Sequence, residues 1–137
     1  MNLKKSTKGF TLIEIVIVLA IAALIMVIVF LAVAGAQRSQ RDTALRNAAA
    51  RTLAAAEAYA SNNSGNYPAN VAAFSTYTVG ISPAPQDGPP GAIPNTPNVL
   101  YYWRNVDCST QSGTTDPRKV TVGYWSEVAG SAQCVGN

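Results

Sequence analysis

A run of 22 apolar residues, 15–36, is the feature that most constrains how this chain folds, because it contains no charged or polar side chain. About 20 apolar residues at a rise of 1.5 Å each span the ~30 Å hydrocarbon core of a membrane. A run of this length therefore predicts a transmembrane helix. Three lysines precede it, at positions 4, 5 and 8, and one carboxylate, Glu14, stands at its N-terminal edge.

The heptapeptide KGFTLIE, at residues 8–14, directly precedes this run. It resembles the class III signal of type IV prepilins and the related pseudopilins, and it matches that motif at every position. The resemblance implies that a prepilin peptidase cuts between Gly9 and Phe10 and that Phe10 is then N-methylated. It further implies that Glu14, the fifth residue of the mature chain, acts in assembly.

An ordinary secretory signal is the main alternative interpretation of this N-terminal region. Such a signal has a shorter apolar segment, of about 7–15 residues, followed by a small-residue cleavage site. Residues 32–34, Ala-Val-Ala, fit that site, but the apolar run is too long and Glu14 would then have no role. The prepilin interpretation is therefore favoured.

The distribution of charge predicts the orientation of the chain. Lysines in the leader favour a cytoplasmic N-terminus, so the C-terminal part is expected to be exported. Removing the leader leaves 7 basic and 7 acidic side chains, because three of the ten basic residues lie in it. A mature protein of balanced charge does not indicate a nucleic-acid surface, although nucleic acid is not excluded as a partner.

The two cysteines, Cys108 and Cys134, both lie in the exported part. In an oxidising compartment, two cysteines in a small domain predict one disulfide. Two free thiols or a metal pair are the alternatives, and the absence of any histidine from the sequence disfavours the metal pair.

The polar sequence after residue 36 continues without glycine or proline as far as Gly65 and is rich in alanine, the best helix former. It predicts one helix from about Thr11 to Ser61, with a paired Asp42 and Arg46 on its surface. Small residues at alternating spacings of three and four predict a packing face on this half of the helix, made of Leu45, Ala48, Thr52, Ala55 and Tyr59.

The remaining sequence predicts a small β-rich head. Residues 99–104 and 120–126 are β-branched and aromatic, which is typical of strands, and two or three short antiparallel strands are expected. A short helix is expected within residues 70–77. Residues 80–98 hold six of the eight prolines and predict an irregular loop.

The predicted fold class is therefore α+β, with a long N-terminal helical spine and a small C-terminal antiparallel head. The expected segments are a leader at 1–9, a transmembrane and polymerisation helix at 10–36, an exported helical half at 37–62 and a head at 63–137.

No constellation for catalysis is evident, so the chain is expected not to be an enzyme and to need no cofactor. A calcium site around Asp107 and Asp116 is conceivable, since some pseudopilins resemble this plan with calcium. The spacing of the two acids matches no specific calcium loop, so no metal site is expected. The helical arginines 38, 41, 46 and 51 are interpreted as a solvated face.

Taken with the resemblance, these features predict a type IV pilin, a structural subunit that forms a homopolymer through its N-terminal helices. Its expected partners are the prepilin peptidase and the inner-membrane assembly machinery. The precursor is expected in the cytoplasmic membrane with its head outside, and the assembled form in a cell-surface pilus. A pseudopilin of a type II secretion system and a signal-anchored binding module that never polymerises are the alternative hypotheses.

Overall fold

A computed structural model describes residues 9–89 and 92–137 of the chain. Residues 1–8 of the leader and residues 90–91 of the proline-rich segment lie outside the described residues. The chain divides into two compact units, Met1–Gln37 and Arg38–Asn137.

One long helix and a small sheet domain make up the described residues, in agreement with the predicted α+β class. The helix α1 spans Leu12–Asn62, and a 3₁₀ helix spans Val71–Phe74. The strands are β1 (Pro85–Asp87), β2 (Leu100–Arg104), β3 (Val106–Asp107), β4 (Ser112–Gly113), β5 (Val120–Ser126) and β6 (Ser131–Gly136).

The helix α1 ends where its sequence stops supporting a helix. The amide of Gly65 donates to the carbonyl of Ala60 (2.8 Å), and Gly65 adopts a φ of +82°, a conformation that glycine reaches without steric cost. Pro68 follows and prevents continuation. Both predicted helix ends are confirmed to within one residue, and α1 continues through Gly35 without interruption.

The main sheet has the order β1-β2-β5-β6. The strand β5 is central and pairs antiparallel with both β2 and β6, as expected for the predicted strands. Strands β3 and β4 form a separate antiparallel pair. Two expectations were incomplete: β1 lies within the segment predicted as irregular and pairs parallel with β2, and the predicted helix at residues 70–77 is only a four-residue 3₁₀ turn.

The core of the second unit lies between the second half of α1 and one face of the sheet. The helix contributes buried side chains that are mostly small: Leu45, Ala48, Ala49, Thr52, Ala55 and Ala56. The sheet contributes larger ones: Leu100, Tyr102, Val120, Val122 and Tyr124. The predicted packing face of the helix is thereby confirmed, with Tyr59 partly buried against the same cluster.

Two hydroxyl groups inside this core are paired, as burial requires. The hydroxyl of Thr52 donates to the carbonyl of Ala48 (2.8 Å), one helical turn earlier. The hydroxyl of Tyr102 donates to the carbonyl of Pro68 (2.8 Å), which fixes the chain just after α1 to the sheet. Burial raises the pKa of Tyr102 far above its ordinary value of 10.0, so this phenol remains a donor.

The opposite face of the sheet is covered by the proline-rich segment. Trp103 on β2 is buried there and donates from its indole Nε1 to the carbonyl of Pro89 (2.8 Å). Ile93 packs beside it over Gly123 of β5. Both faces of the sheet are therefore covered, which explains why the aromatic residues of β2 are divided between its two faces.

Candidate processing and assembly site

The predicted cleavage bond, between Gly9 and Phe10, lies just before the first turn of α1. Both residues are exposed and outside regular structure, and the Phe10 side chain is 85% exposed. A Cβ atom added to Gly9 would meet no other atom within 4 Å. The described residues therefore leave this bond open to a peptidase.

Glu14 lies in the first turn of α1 and is held there by Thr11. Its carboxylate accepts hydrogen bonds from the backbone N–H of Thr11 (2.8 Å) and from the Thr11 hydroxyl (2.6 Å). A carboxylate three residues into a helix that bonds back to the preceding Thr satisfies a free amide, as in a capping box, and interacts favourably with the helix dipole. Within a single chain, the carboxylate thus has a local partner.

The apolar half of α1 is exposed on every side. Each large apolar side chain from Leu12 to Val33 is at least 45% exposed, and no residue before Leu45 in α1 is buried. By length and composition, α1 is able to cross a membrane. A helix that is apolar all round requires lipid or other helices around it, because water would solvate its surface poorly.

The two cysteines are brought together in the head. Their Cα atoms lie 5.9 Å apart, which is within the range of disulfides. Cys134 lies in β6 opposite Gly123, and Cys108 directly follows β3. Cys134 therefore belongs to a strand of the main sheet, which the sequence analysis did not predict.

The acids considered as calcium ligands are engaged in local hydrogen bonds. Asp107 accepts from the hydroxyl and amide of Ser109 and from the amide of Thr110, and Asp116 accepts from the amide of Arg118 (2.9 Å). The side-chain hydrogen bond from Ser109, assisted by the backbone bonds, lowers the pKa of Asp107. Among residues 9–89 and 92–137, no three His, Cys, Asp or Glu side chains are placed to hold a metal ion.

Asp42 has a role that the sequence interpretation missed. It was expected to pair with Arg46, but its carboxylate accepts from the Ser126 hydroxyl (2.5 Å) and from the amides of Glu127 (3.1 Å) and Val128 (3.0 Å). Burial raises the pKa of Asp42, but these three hydrogen bonds lower it by more, so that it lies below the ordinary 3.8. No local signal marks this contact, because its members are more than 80 residues apart in sequence.

The arginines in the second half of α1 lie on its surface, as expected for a solvated face. Arg38, Arg46 and Arg51 are exposed. The guanidinium of Arg41 lies 3.8 Å from the Glu127 carboxylate, with the arginine side chain 58% exposed. An ion pair with this exposure contributes little to stability.

Comparison with family models identifies residues 4–30 as a prokaryotic N-terminal methylation motif. This region includes the KGFTLIE heptapeptide and the first part of the apolar run. The chain therefore carries the class III signal of type IV pilins and pseudopilins, which confirms the interpretation of this motif. Comparisons with curated proteins and with solved structures found no significant match.

Proposed function

We propose that this chain is a pilin, a structural subunit that is made as a membrane-held precursor and polymerises into a type IV pilus. The observation that carries the proposal is the first half of α1, which is apolar and exposed all round and begins two residues after the predicted cleavage bond of the methylation motif. The motif that directs processing is thus directly followed by an apolar helical surface, and this surface needs other helices or lipid around it.

Processing would release the leader and create a new amine at Phe10. The peptidase cuts after Gly9, and methylation of Phe10 follows. Until assembly, the apolar half of α1 remains in the cytoplasmic membrane, and the head, with its cysteine pair, faces the oxidising side.

Assembly would exchange lipid around α1 for the helices of other copies. The hydrophobic effect alone does not favour this exchange, because lipid tails are as apolar as the helix. Close packing does, and small residues along the run allow it: Ala20, Ala22, Ala23, Ala32 and Ala34. The heads, each with its own closed core, would then form the outer surface of the filament.

Electron microscopy of filaments sheared from cells that express this chain as their only pilin tests the proposal. The expected result is surface filaments whose main component, identified by mass spectrometry, begins at Phe10. Failed protein secretion without surface filaments on deletion would instead indicate a pseudopilin. A processed chain that supports neither filaments nor secretion would indicate an anchored module that does not polymerise.

A further inference from the structure

Two opposite charges on the second half of α1, those of Arg46 and Glu57, are not neutralised within the chain. Both residues are exposed, and neither forms an ion pair in the part of the chain that the structure describes. The carboxylate one turn before Arg46, that of Asp42, is occupied by the Ser126 hydroxyl and by two backbone amides that follow β5. The positions three and four residues from Glu57, in either direction, hold only alanine, leucine and serine.

Arg46 and Glu57 lie on one side of the helix. They are 11 residues apart, so their directions around the axis differ by only about 20° and their positions along it by about 16.5 Å. Ala50 and Ala54, which are both exposed, lie between them along the axis. Small side chains at these positions let a second helix approach closely. This side of α1 therefore has a positive end, a centre of small residues and a negative end.

Anchoring of the chain restricts how this side of α1 can meet the same side of a second copy. In the proposed function every copy enters the membrane through the N-terminal end of α1, so the helices of neighbouring copies run in the same direction. A parallel pair in register would place Arg46 opposite Arg46 and Glu57 opposite Glu57, and like charges that meet in an interface repel. A parallel pair displaced by three helical turns instead places Arg46 of one copy opposite Glu57 of the next.

We infer that this side of α1 is a contact between copies of the chain, in which the Arg46 guanidinium of one copy pairs with the Glu57 carboxylate of the next. The inference rests on the polymerisation in the proposed function. Each contact adds an axial displacement of about 16.5 Å and leaves one Arg46 and one Glu57 free at its two ends. A contact of this kind between two different patches cannot close into a ring, so it propagates along a filament. Complementary charges in such a contact specify its register more than its strength.

Reversal and exchange of the two charges test the inference in cells that express the chain as their only pilin. Arg46→Glu and Glu57→Arg each put like charges at the contact, whereas the two substitutions together restore opposite charges. We expect each single reversal to lower the yield of sheared filaments, relative to membrane-held pilin, at least about threefold, and the double exchange to recover most of it. Any repulsion of Asp42 by the new carboxylate would persist in the double exchange, because position 57 of the same chain lies three turns away.

Arg51→Glu combined with Glu57→Arg is the matched control. Arg51 is also an exposed arginine of α1, but it lies about 120° around the helix from Glu57. This exchange changes the same residue types and should recover none of the yield lost in Glu57→Arg.

Cross-linking gives a second measurement that does not depend on charge. Filaments of a chain with both Arg46→Cys and Glu57→Cys, treated with a short bis-maleimide, should give a ladder of multimers that survives reduction. Either single cysteine should give no product larger than a dimer, because the contact joins two different positions.

Normal filament yield from both single reversals would overturn the inference. So would a double exchange that is no better than the poorer single reversal, recovery by the exchange at Arg51, or absence of the cross-linked ladder. Absence of filaments from the unsubstituted chain would instead overturn the proposed function, and this inference with it.

Discussion

The Ser126 hydroxyl donates a hydrogen bond to the Asp42 carboxylate, 84 residues earlier in the chain, across a distance of 2.5 Å. This bond and the two neighbouring amide bonds join the β5–β6 turn to α1. Replacing Asp42 by Ala leaves three donors without their acceptor, and hydrogen bonds to a charged group contribute about 1.5–3 kcal/mol each when well shielded. Because Asp42 is half-buried, we expect a loss of roughly 1–3 kcal/mol in the free energy of unfolding. Urea denaturation of the detergent-solubilised chain, followed by near-ultraviolet circular dichroism, measures it.

Glu57→Gln provides the control for this change, because Glu57 is an exposed carboxylate on the same helix. The free energy of unfolding of the Glu57→Gln protein should remain within about 0.5 kcal/mol of that of the unsubstituted chain. An Asp42→Ala protein as stable as the Glu57→Gln protein would show that the turn is held by other contacts.

Acid should weaken the same contact. The pKa of Asp42 is lowered in the folded chain, so its contribution to stability is present above the unfolded value, near the ordinary 3.8, and is lost as pH falls through the folded pKa. The stability difference between the unsubstituted chain and Asp42→Ala should therefore be constant near neutral pH and shrink below about pH 4. A difference that does not change with pH down to pH 2 would contradict this assignment. Comparing the two proteins at each pH cancels the parallel contribution of Asp107.

A methyl group at position 123 should disturb the packing on the face of the sheet that the proline-rich segment covers. A Cβ atom there would lie 2.6 Å from Cδ1 of Ile93 and 2.8 Å from Cζ3 of Trp103. Overpacking of this kind typically destabilises by about 1–3 kcal/mol, and we expect Gly123→Ala to fall in that range. Gly113→Ala is the matched control, because its Cβ would meet only one atom, at 3.9 Å. Thermal unfolding of the two variants should differ, and equal midpoints would show that Ile93 moves aside at little cost.

The helix and its packing face could be predicted because both depend on local sequence. An unbroken alanine-rich segment between Ala36 and Gly65, with small residues every three or four positions, specifies both the helix and the side that packs. The strand β5 was predicted with its observed bounds, because valine, threonine and aromatic residues are concentrated there.

The missed features depend on contacts between distant segments. The strand β1 is Pro-Gln-Asp, which has no strand propensity, and it forms only because β2 offers a free edge to pair with. The strand β6 likewise follows β5 through a turn whose anchor, Asp42, is far away in sequence. At the candidate site, the motif identified Gly9, Phe10 and Glu14, but it did not show that Thr11 holds the Glu14 carboxylate within one chain.

The cysteine pair should be oxidised in the exported protein. A bridge between residues 108 and 134 closes a loop with a sequence separation of 26 residues, which corresponds to about 3–4 kcal/mol in the chain-entropy model. We expect the intact mass to rise by about two hydrogens on reduction and the head to lose stability by that amount. The double replacement of both cysteines by Ser should match the reduced protein. Labelling of thiols in the native, unreduced protein would contradict the pairing.

A bulky residue at position 9 should block processing without affecting the described fold. Among the residues that the structure describes, nothing lies within 4 Å of a Cβ atom added at Gly9. A loss of cleavage would therefore show that the peptidase does not accept a bulky residue at position 9. Mass spectrometry should find the uncut precursor in Gly9→Leu and a mature chain starting at Phe10 in the unsubstituted protein. A mature start near Gly35 would instead support an ordinary secretory signal.

Glu14 should act in filament assembly and not in processing. A carboxylate in the apolar part of a membrane costs about 2.5–3.5 kcal/mol at a helix centre and less at its edge. Such a carboxylate therefore normally pairs with a group that offsets this cost. In the precursor that partner is Thr11, through its amide and its hydroxyl. Cleavage adds the amine of Phe10, and we propose that the amine of a neighbouring copy pairs with Glu14 and sets the register of the incoming chain. Glu14→Gln should therefore leave cleavage and membrane insertion intact and sharply reduce the yield of sheared filaments.

Thr11→Val separates this role from a purely local one. It removes the hydroxyl that bonds to Glu14 but keeps both the backbone amide and the carboxylate. If Glu14 acts between copies, Thr11→Val should retain most of the filament yield while Glu14→Gln loses it, with both mature chains beginning at Phe10. Equal losses in the two variants would assign Glu14 to capping its own helix, since Thr11→Val removes one donor of the local contact and Glu14→Gln replaces its charged acceptor by a weaker, neutral one. Normal filament yield from Glu14→Gln as the only pilin would show that the carboxylate is not needed for register.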